Sequence, residues 1–220
     1  WTLPPGEFVP MTLTAEACPK AEEVRDWGHT NLNLAEAHKT TKGKGTKIAI
    51  LDTGCDMNHR DLKDRVIASK DETNSRSGPA DVQGHGTHCA GIALGSENNT
   101  GIIGAAPEAS LIVVKVLGDS GSGSVDGIAK GTDWAVEQGA DVLSYSLGGP
   151  GADSWIPPAF QRAEAAGCII VCAAGNEGPG ANTCGYPGLY AQCVCVAATD
   201  KNNAVAAFSS RCAPVFVATP

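Results

Sequence analysis

Apolar residues along this chain fall into short unbroken runs separated by longer mixed stretches. The runs cover residues 47–51, 111–117, 141–147, 168–173 and 193–198. They show no apolar–polar alternation, so each predicts a strand buried on both faces, as in a parallel sheet. Between them the spacing changes to three and four. Val125, Ile128, Thr132, Ala135 and Val136 share one helical face, and Ser124 stands before them as a candidate N-cap. Pro157 and Pro158 open a second helix that runs to Ala166 and stops at Gly167. A third is expected to start near His85, and a short one around Leu34 to His38 with Asn33 as its cap. Strands alternating with helices predict an α/β fold with right-handed crossovers around a mostly parallel central sheet.

Composition narrows the function classes. Of 220 residues, 42% are hydrophobic and 18% charged, the balance of a globular chain. No stretch approaches the ~20 apolar residues of a membrane helix, so no membrane partner is expected. Lys and Arg number 16 against 24 Asp and Glu, a net charge of −8. That charge repels nucleic acid, and Lys39, Lys42, Lys44 and Lys47 read as a solvated linker.

The nine cysteines form no Cys-x-x-Cys pair, which argues against a zinc ribbon. Several lie inside apolar runs, as Cys168, Cys172, Cys193 and Cys195 do, where a thiol behaves as a small core hydrophobe. Reduced thiols and a cytoplasmic setting are the expectation. The rival is a secreted domain with one or two bridges, for instance Cys184 to Cys193.

Function in an open α/β sheet sits at the carboxyl ends of the strands. Four of the five runs end in Gly with Asp, Ser or Asn, which directs attention to Asp52, to residues 118–124, to residues 146–149 and to Asn176. A carboxylate at a buried strand end, like Asp52, needs a partner, and a histidine N–H is a natural one. His85 and His88 lie within Gly84-His85-Gly86-Thr87-His88-Cys89. A zinc site of His85, His88 and Cys89 lacks an acidic general base nearby, so one functional and one core histidine is the better reading. Asn176, between glycines, is a neutral donor suited to a developing oxyanion. Gly118-Asp119-Ser120-Gly121 reads as a turn.

In order along the chain, Asp52-Thr53-Gly54, His85-Gly86-Thr87-His88, Ser146-Leu147-Gly148-Gly149 and Ala174-Gly175-Asn176-Glu177-Gly178 resemble the subtilisin family of serine proteases. The resemblance covers residues 33–220 as the catalytic domain and implies that family's three-layer fold. It implies that Asp52 orients His85, that His85 is the general base and that Asn176 donates to the oxyanion. An extended peptide or protein substrate would pair with Gly121, Ser122 and Gly123 on one side and with Ser146, Leu147 and Gly148 on the other.

Asp52-Thr53-Gly54-Cys55-Asp56 and Cys172-Ala173-Ala174-Gly175-Asn176 look like the intracellular subtilisins of bacteria. So does the start, where Phe8-Val9-Pro10-Met11 is similar to the motif of their inhibitory extension, with Met11 in place of an aromatic. Residues 1–32 are therefore expected to be an N-terminal extension that inhibits the enzyme. The resemblance further implies structural calcium at Asp61 and a loop that includes Asn98, Thr100 and Ile102, and it admits a homodimer. The family's nucleophile lies in Gly-Thr-Ser-Met-Ala, and no such segment occurs in these 220 residues. The expectation is a protease fold truncated at its C-terminal side, inactive by itself. The alternative is a non-catalytic, peptide-binding relative.

Overall fold

The computed structural model describes residues 23–220. Its centre is a seven-stranded sheet, parallel throughout, with spatial order β2-β3-β1-β4-β5-β6-β7. The strands are β1 (Lys47–Asp52), β2 (Val66–Asp71), β3 (Ser110–Lys115), β4 (Val142–Tyr145), β5 (Ile169–Ala173), β6 (Cys193–Ala198) and β7 (Val215–Thr219). The five expected strands are all present, within a few residues of the apolar runs. The edge strands β2 and β7 are additional. Both are only half buried; β2 turns polar after Val66-Ile67-Ala68, whereas Val215-Phe216-Val217-Ala218 is a continuous apolar run that the sequence analysis missed.

Successive side chains on a strand face opposite ways, and here each way meets helices. Ala49 and Leu51 of β1 and Ile112 and Val114 of β3 join one core with Ile128, Ala135, Phe160 and Ala163. Those residues belong to α4 (Val125–Glu137) and α5 (Ile156–Ala165). Ile50, Leu111 and Val113 face the other core, with Ala90 and Leu94 of α3 (His85–Leu94). Helix, sheet, helix is the three-layer α/β architecture that the pattern and the resemblance both implied.

The caps follow local chemistry. Ser124 accepts from Gly127 N–H at the start of α4. Pro157 and Pro158 sit in the first turn of α5, where a missing N–H costs nothing. Two short helices precede the sheet, α1 (Trp27–Asn31), capped by the Asp26 carboxylate, and α2 (Leu34–Thr40). Asn33 stands before α2 as expected, but it is left-handed (φ 52°) and its side chain makes no cap hydrogen bond. Residues 23–32 pack on the main body: Val24 bridges to Ile102 and Arg25 pairs with Glu97.

The thiol expectation needs correction. Cys184 is bonded to Cys212, so these two are not reduced, and the partner is Cys212 rather than Cys193. Cys193 instead lies with its sulfur 3.3 Å from Cys172 across β5 and β6. Cys55, Cys172 and Cys195 are unbonded and buried, as core hydrophobes should be.

Candidate active site

The chain crosses the sheet so that β1 lies between β3 and β4, and the carboxyl end of β1 falls at the reversal of strand order. Asp52 ends β1 there, 1% exposed. Its Oδ1 accepts from the Thr53 N–H at 2.7 Å and from His85 Nδ1 at 2.7 Å. His85 opens α3, with its side chain 43% exposed, so the ring joins a buried carboxylate to the open cleft. This contact requires a glycine next door: a Cβ on Gly86 would collide with the Gly54 carbonyl and press against Asp52.

Asp81 organises the approach of α3. It accepts from the N–H groups of Gln83, Gly84 and Thr87 and from the hydroxyls of Thr53 and Thr87. Burial by itself would raise this carboxyl, but those hydrogen bonds, led by Thr87 and Gly84, bring it down from 3.8 to about 2. The Thr53 hydroxyl meanwhile accepts from the Gly86 N–H at 2.8 Å. Gln83 Oε1 accepts from the His85 N–H.

Lys115 is fully buried beside this turn. Its ammonium donates to the carbonyls of Thr53 and Ala80 and pairs with Asp119 at 3.0 Å. The sequence analysis missed Asp81 and Lys115. Lys115 had a signal, since it is the one charge inside the apolar run 111–117.

His88 is exposed, which corrects the expectation of a core histidine. The buried face of α3 is Gly86, Ala90 and Leu94, and position 88 is off that stripe. Nor does the structure gather His85, His88 and Cys89. It places Cys89 with Asp52 and His85, its sulfur 3.9 Å from the His85 Nδ1. Burial pushes the Cys89 thiol up to about 11, so it is protonated at neutral pH.

Two grooves share Ser146, Leu147 and Gly148, and His85 lines the first of them. The first, about 460 Å³, is bordered by Gly121, Ser122 and Gly123 on one side and by Ser146, Leu147 and Gly148 on the other. The six residues read from the sequence therefore line one groove. A Cβ on Gly123 would strike the Val116 carbonyl, so only glycine lets that rim lie so close to β3. The second groove is lined by Ser146, Gly148, Asn176, Thr183 and Cys184. Asn176 follows β5 and is exposed, and its N–H donates to Glu177 Oε2. The same carboxylate oxygen accepts from the Ser210 hydroxyl, which anchors the turn, and Asn176 lines the groove.

The subtilase family profile matches residues 43–219. The chain belongs to the subtilase family. It is 43% identical over 197 residues to thermitase of Thermoactinomyces vulgaris, across 89% of this chain and 70% of that protein. It is 42% identical over 177 residues to an intracellular serine protease of Paenibacillus polymyxa, and 43% identical over 180 residues to the major intracellular serine protease of Bacillus subtilis. Those matches span 77% and 78% of this chain but 54% and 56% of the relatives. The subtilase chain thus covers little more than half the length of these two relatives.

The structure also brings Asp61 against the loop 96–102. Asp61 is 2% exposed. Its carboxylate accepts from Asn98 Nδ2 at 3.0 Å and from the Ile102 N–H at 3.4 Å. Asn98 Oδ1 accepts from the Thr100 N–H and hydroxyl. Glu23 adds a carboxylate that the sequence analysis missed, accepting from the N–H groups of Asn98 and Asn99. Carboxylate and amide oxygens are the donor class that suits Ca²⁺, and these residues fit that ion once Asn98, whose Nδ2 faces Asp61 and whose Oδ1 faces Thr100 here, turns its oxygen inward. The stretch Phe8, Val9, Pro10 and Met11 lies outside the described residues. Among the described residues no helix is long and apolar enough to cross a membrane.

Proposed function

We propose that the protein is a serine endopeptidase of the subtilisin type, cleaving peptide bonds through an acyl-enzyme. The observation that carries the reading is the 2.7 Å contact between buried Asp52 and His85 at the mouth of a two-rimmed groove. Asp52 holds the ring in the tautomer with hydrogen on Nδ1, which leaves Nε2 as the base. A serine hydroxyl attacking the peptide carbonyl passes its proton to His85 Nε2, and Asp52 stabilises the imidazolium that forms. Asn176 donates its amide to the developing oxyanion. His85 then returns the proton to the leaving amine. The substrate backbone pairs between the rims at 121–123 and 146–148 as an added strand.

The nucleophile is the missing part, since no Gly-Thr-Ser-Met-Ala segment occurs in these 220 residues. We therefore assign to this stretch the base, its orienter, the oxyanion donor and the cleft, and no turnover of its own. The second reading, a peptide-binding relative without catalysis, is favoured by that same absence. A fluorophosphonate probe separates the two. The complete protein should be labelled on a serine and the 220-residue chain should not. An unlabelled complete protein establishes the second reading.

Two further assignments accompany the first. Calcium would be held by Asp61, Asn98 and backbone oxygens of the 96–102 loop, with Glu23 beside them. Residues 1–32 would be an extension whose Phe8, Val9, Pro10 and Met11 lie along the rims and inhibit. Pro10 lacks an N–H and keeps Val9 extended. Tethering gives the segment a high effective concentration. Deleting residues 1–20 from the complete enzyme should raise its activity; unchanged turnover contradicts the assignment. A cytoplasmic setting is proposed from the two relatives named intracellular, and there the Cys184–Cys212 pair would stand as open thiols.

A further inference from the structure

Behind the wall of the second groove three cysteines converge. Cys184, Cys195 and Cys212 place their sulfurs within 4.8 Å of one another. Cys184 and Cys212 are bonded, and Cys195, wholly buried on β6, is unbonded. Hydrogen bonds independent of the bridge hold the two segments together. The Thr183 N–H donates to the Arg211 carbonyl at 3.1 Å, and the Arg211 N–H donates to the Thr183 hydroxyl at 3.1 Å. Ala181 and Arg211 form a parallel bridge beside them. Cys195 is fixed separately, in register with Val215 of β7. Opening the bridge therefore leaves three thiols on a scaffold that still gathers them.

We propose that, once the bridge is reduced, Cys184, Cys195 and Cys212 form a three-thiolate site for a thiophilic divalent cation of the Zn²⁺ class. Tetrahedral zinc with Zn–S near 2.3 Å sets its sulfurs about 3.8 Å apart, within reach of the present spacing. A donor set of sulfur alone selects zinc-like or softer ions over calcium or magnesium. Cys184 and Cys212 are partly exposed and Cys184 lines the groove, so solvent supplies the fourth ligand.

The chemistry balances in two steps. A dithiol reductant gives two electrons and two protons to the Cys184–Cys212 bond, yielding two thiols and the reductant's own disulfide. The metal ion then displaces three protons and forms three metal–sulfur bonds. Because three thiols must lose their protons, metal binding weakens as pH falls. Either the bridge or the metal ties residues 178–188, the groove wall, to residues 209–212. The reduced, metal-free protein has only the hydrogen bonds. The wall facing Asn176 is thereby set by redox state and metal together.

Co²⁺ reports such a site directly. The protein is reduced, desalted without oxygen and titrated with Co²⁺. One equivalent should produce near-ultraviolet thiolate-to-cobalt absorption and the intense visible bands of a tetrahedral ion, both erased by Zn²⁺. The oxidised protein should show neither. Cys195→Ser should weaken binding by at least about tenfold, the loss that even an outer-sphere partner produces. Cys212→Ala, at a partly exposed position, should do the same. Cys172→Ser and Cys193→Ser, which alter the neighbouring thiol pair, should leave the titration unchanged. Absent bands in the reduced protein, or a Cys195→Ser and Cys212→Ala titration like that of the wild type, would overturn the proposal. So would loss of the bands in Cys172→Ser or Cys193→Ser. The readout needs no peptidase activity, so its failure leaves the protease reading standing.

Discussion

Lys115 donates to the Thr53 carbonyl at 2.5 Å with none of its side chain exposed. A buried ammonium is costly unless fully engaged, and this one also meets the Ala80 carbonyl and the Asp119 carboxylate. It holds the turn after β1 against the loop that leads to the 121–123 rim. Lys115→Met keeps much of the stem volume and removes the head. Two inward carbonyls then lose a donor, at roughly 1–3 kcal/mol each. The expected loss is about 2–4 kcal/mol in urea unfolding. Asp119→Asn, at a partly exposed partner, should cost less. Equal losses from the two would contradict the view that the carbonyl contacts dominate.

Asp81 gives the fold an acid-sensitive joint. Its folded pKa lies below the ordinary 3.8, at about 2. Its stabilisation is therefore complete above pH ~4 and is lost as the pH falls towards ~2. Asp81→Ala leaves three N–H groups without their acceptor and should cost about 1.5–3 kcal/mol near neutrality. It should also flatten the fall of stability between pH 4 and 2. Acid unfolding curves for the two proteins, compared across that window, check the sign. A variant that loses stability as steeply as the parent there would show that other carboxylates govern it.

Much of the centre of this molecule was legible because its strands are buried on both faces. Runs such as 47–51 and 193–198 have no other good explanation. β2 escaped because an edge strand has a neighbour on one side only, so Ile67 stands exposed and the strand ends in Ser69, Lys70 and Asp71; β7 is apolar from Val215 to Ala218, with Phe216 exposed, and its run was overlooked. Asp52 and His85 were legible from a carboxylate at a buried strand end and a histidine between glycines. Asp81 was not, since its five hydrogen bonds come from four residues, Thr53, Gln83, Gly84 and Thr87, that no local pattern places together. The Cys184 partner was misassigned for a related reason: spacing along a chain does not determine which cysteines meet in space. His88 lies off the Gly86, Ala90 and Leu94 stripe, so the histidine that the sequence left for the core stands exposed.

Calcium should stabilise the fold through the Asp61 cluster. A ligand that binds only the native state adds RT ln(1 + [L]/Kd), about 2.7 kcal/mol at a hundred times Kd. Chelator-treated protein should melt at a higher temperature when millimolar Ca²⁺ is restored. Asp61→Asn should abolish most of that increment, and Glu23→Gln should reduce it. An unchanged melting temperature in the parent protein would remove calcium from the account.

The most direct test of the central claim is single-turnover peptide cleavage by the complete protein, with Asp52→Asn and His85→Ala beside it. If Asp52 and His85 handle the proton, both changes collapse the chemical step and leave substrate binding nearly intact. Asp52→Asn should slow cleavage by roughly 10⁴-fold, and His85→Ala by at least as much. His88→Ala, at an exposed position, should leave the rate close to that of the parent. Cleavage that survives His85→Ala in a folded protein, or that is lost in His88→Ala instead, would contradict the assignment.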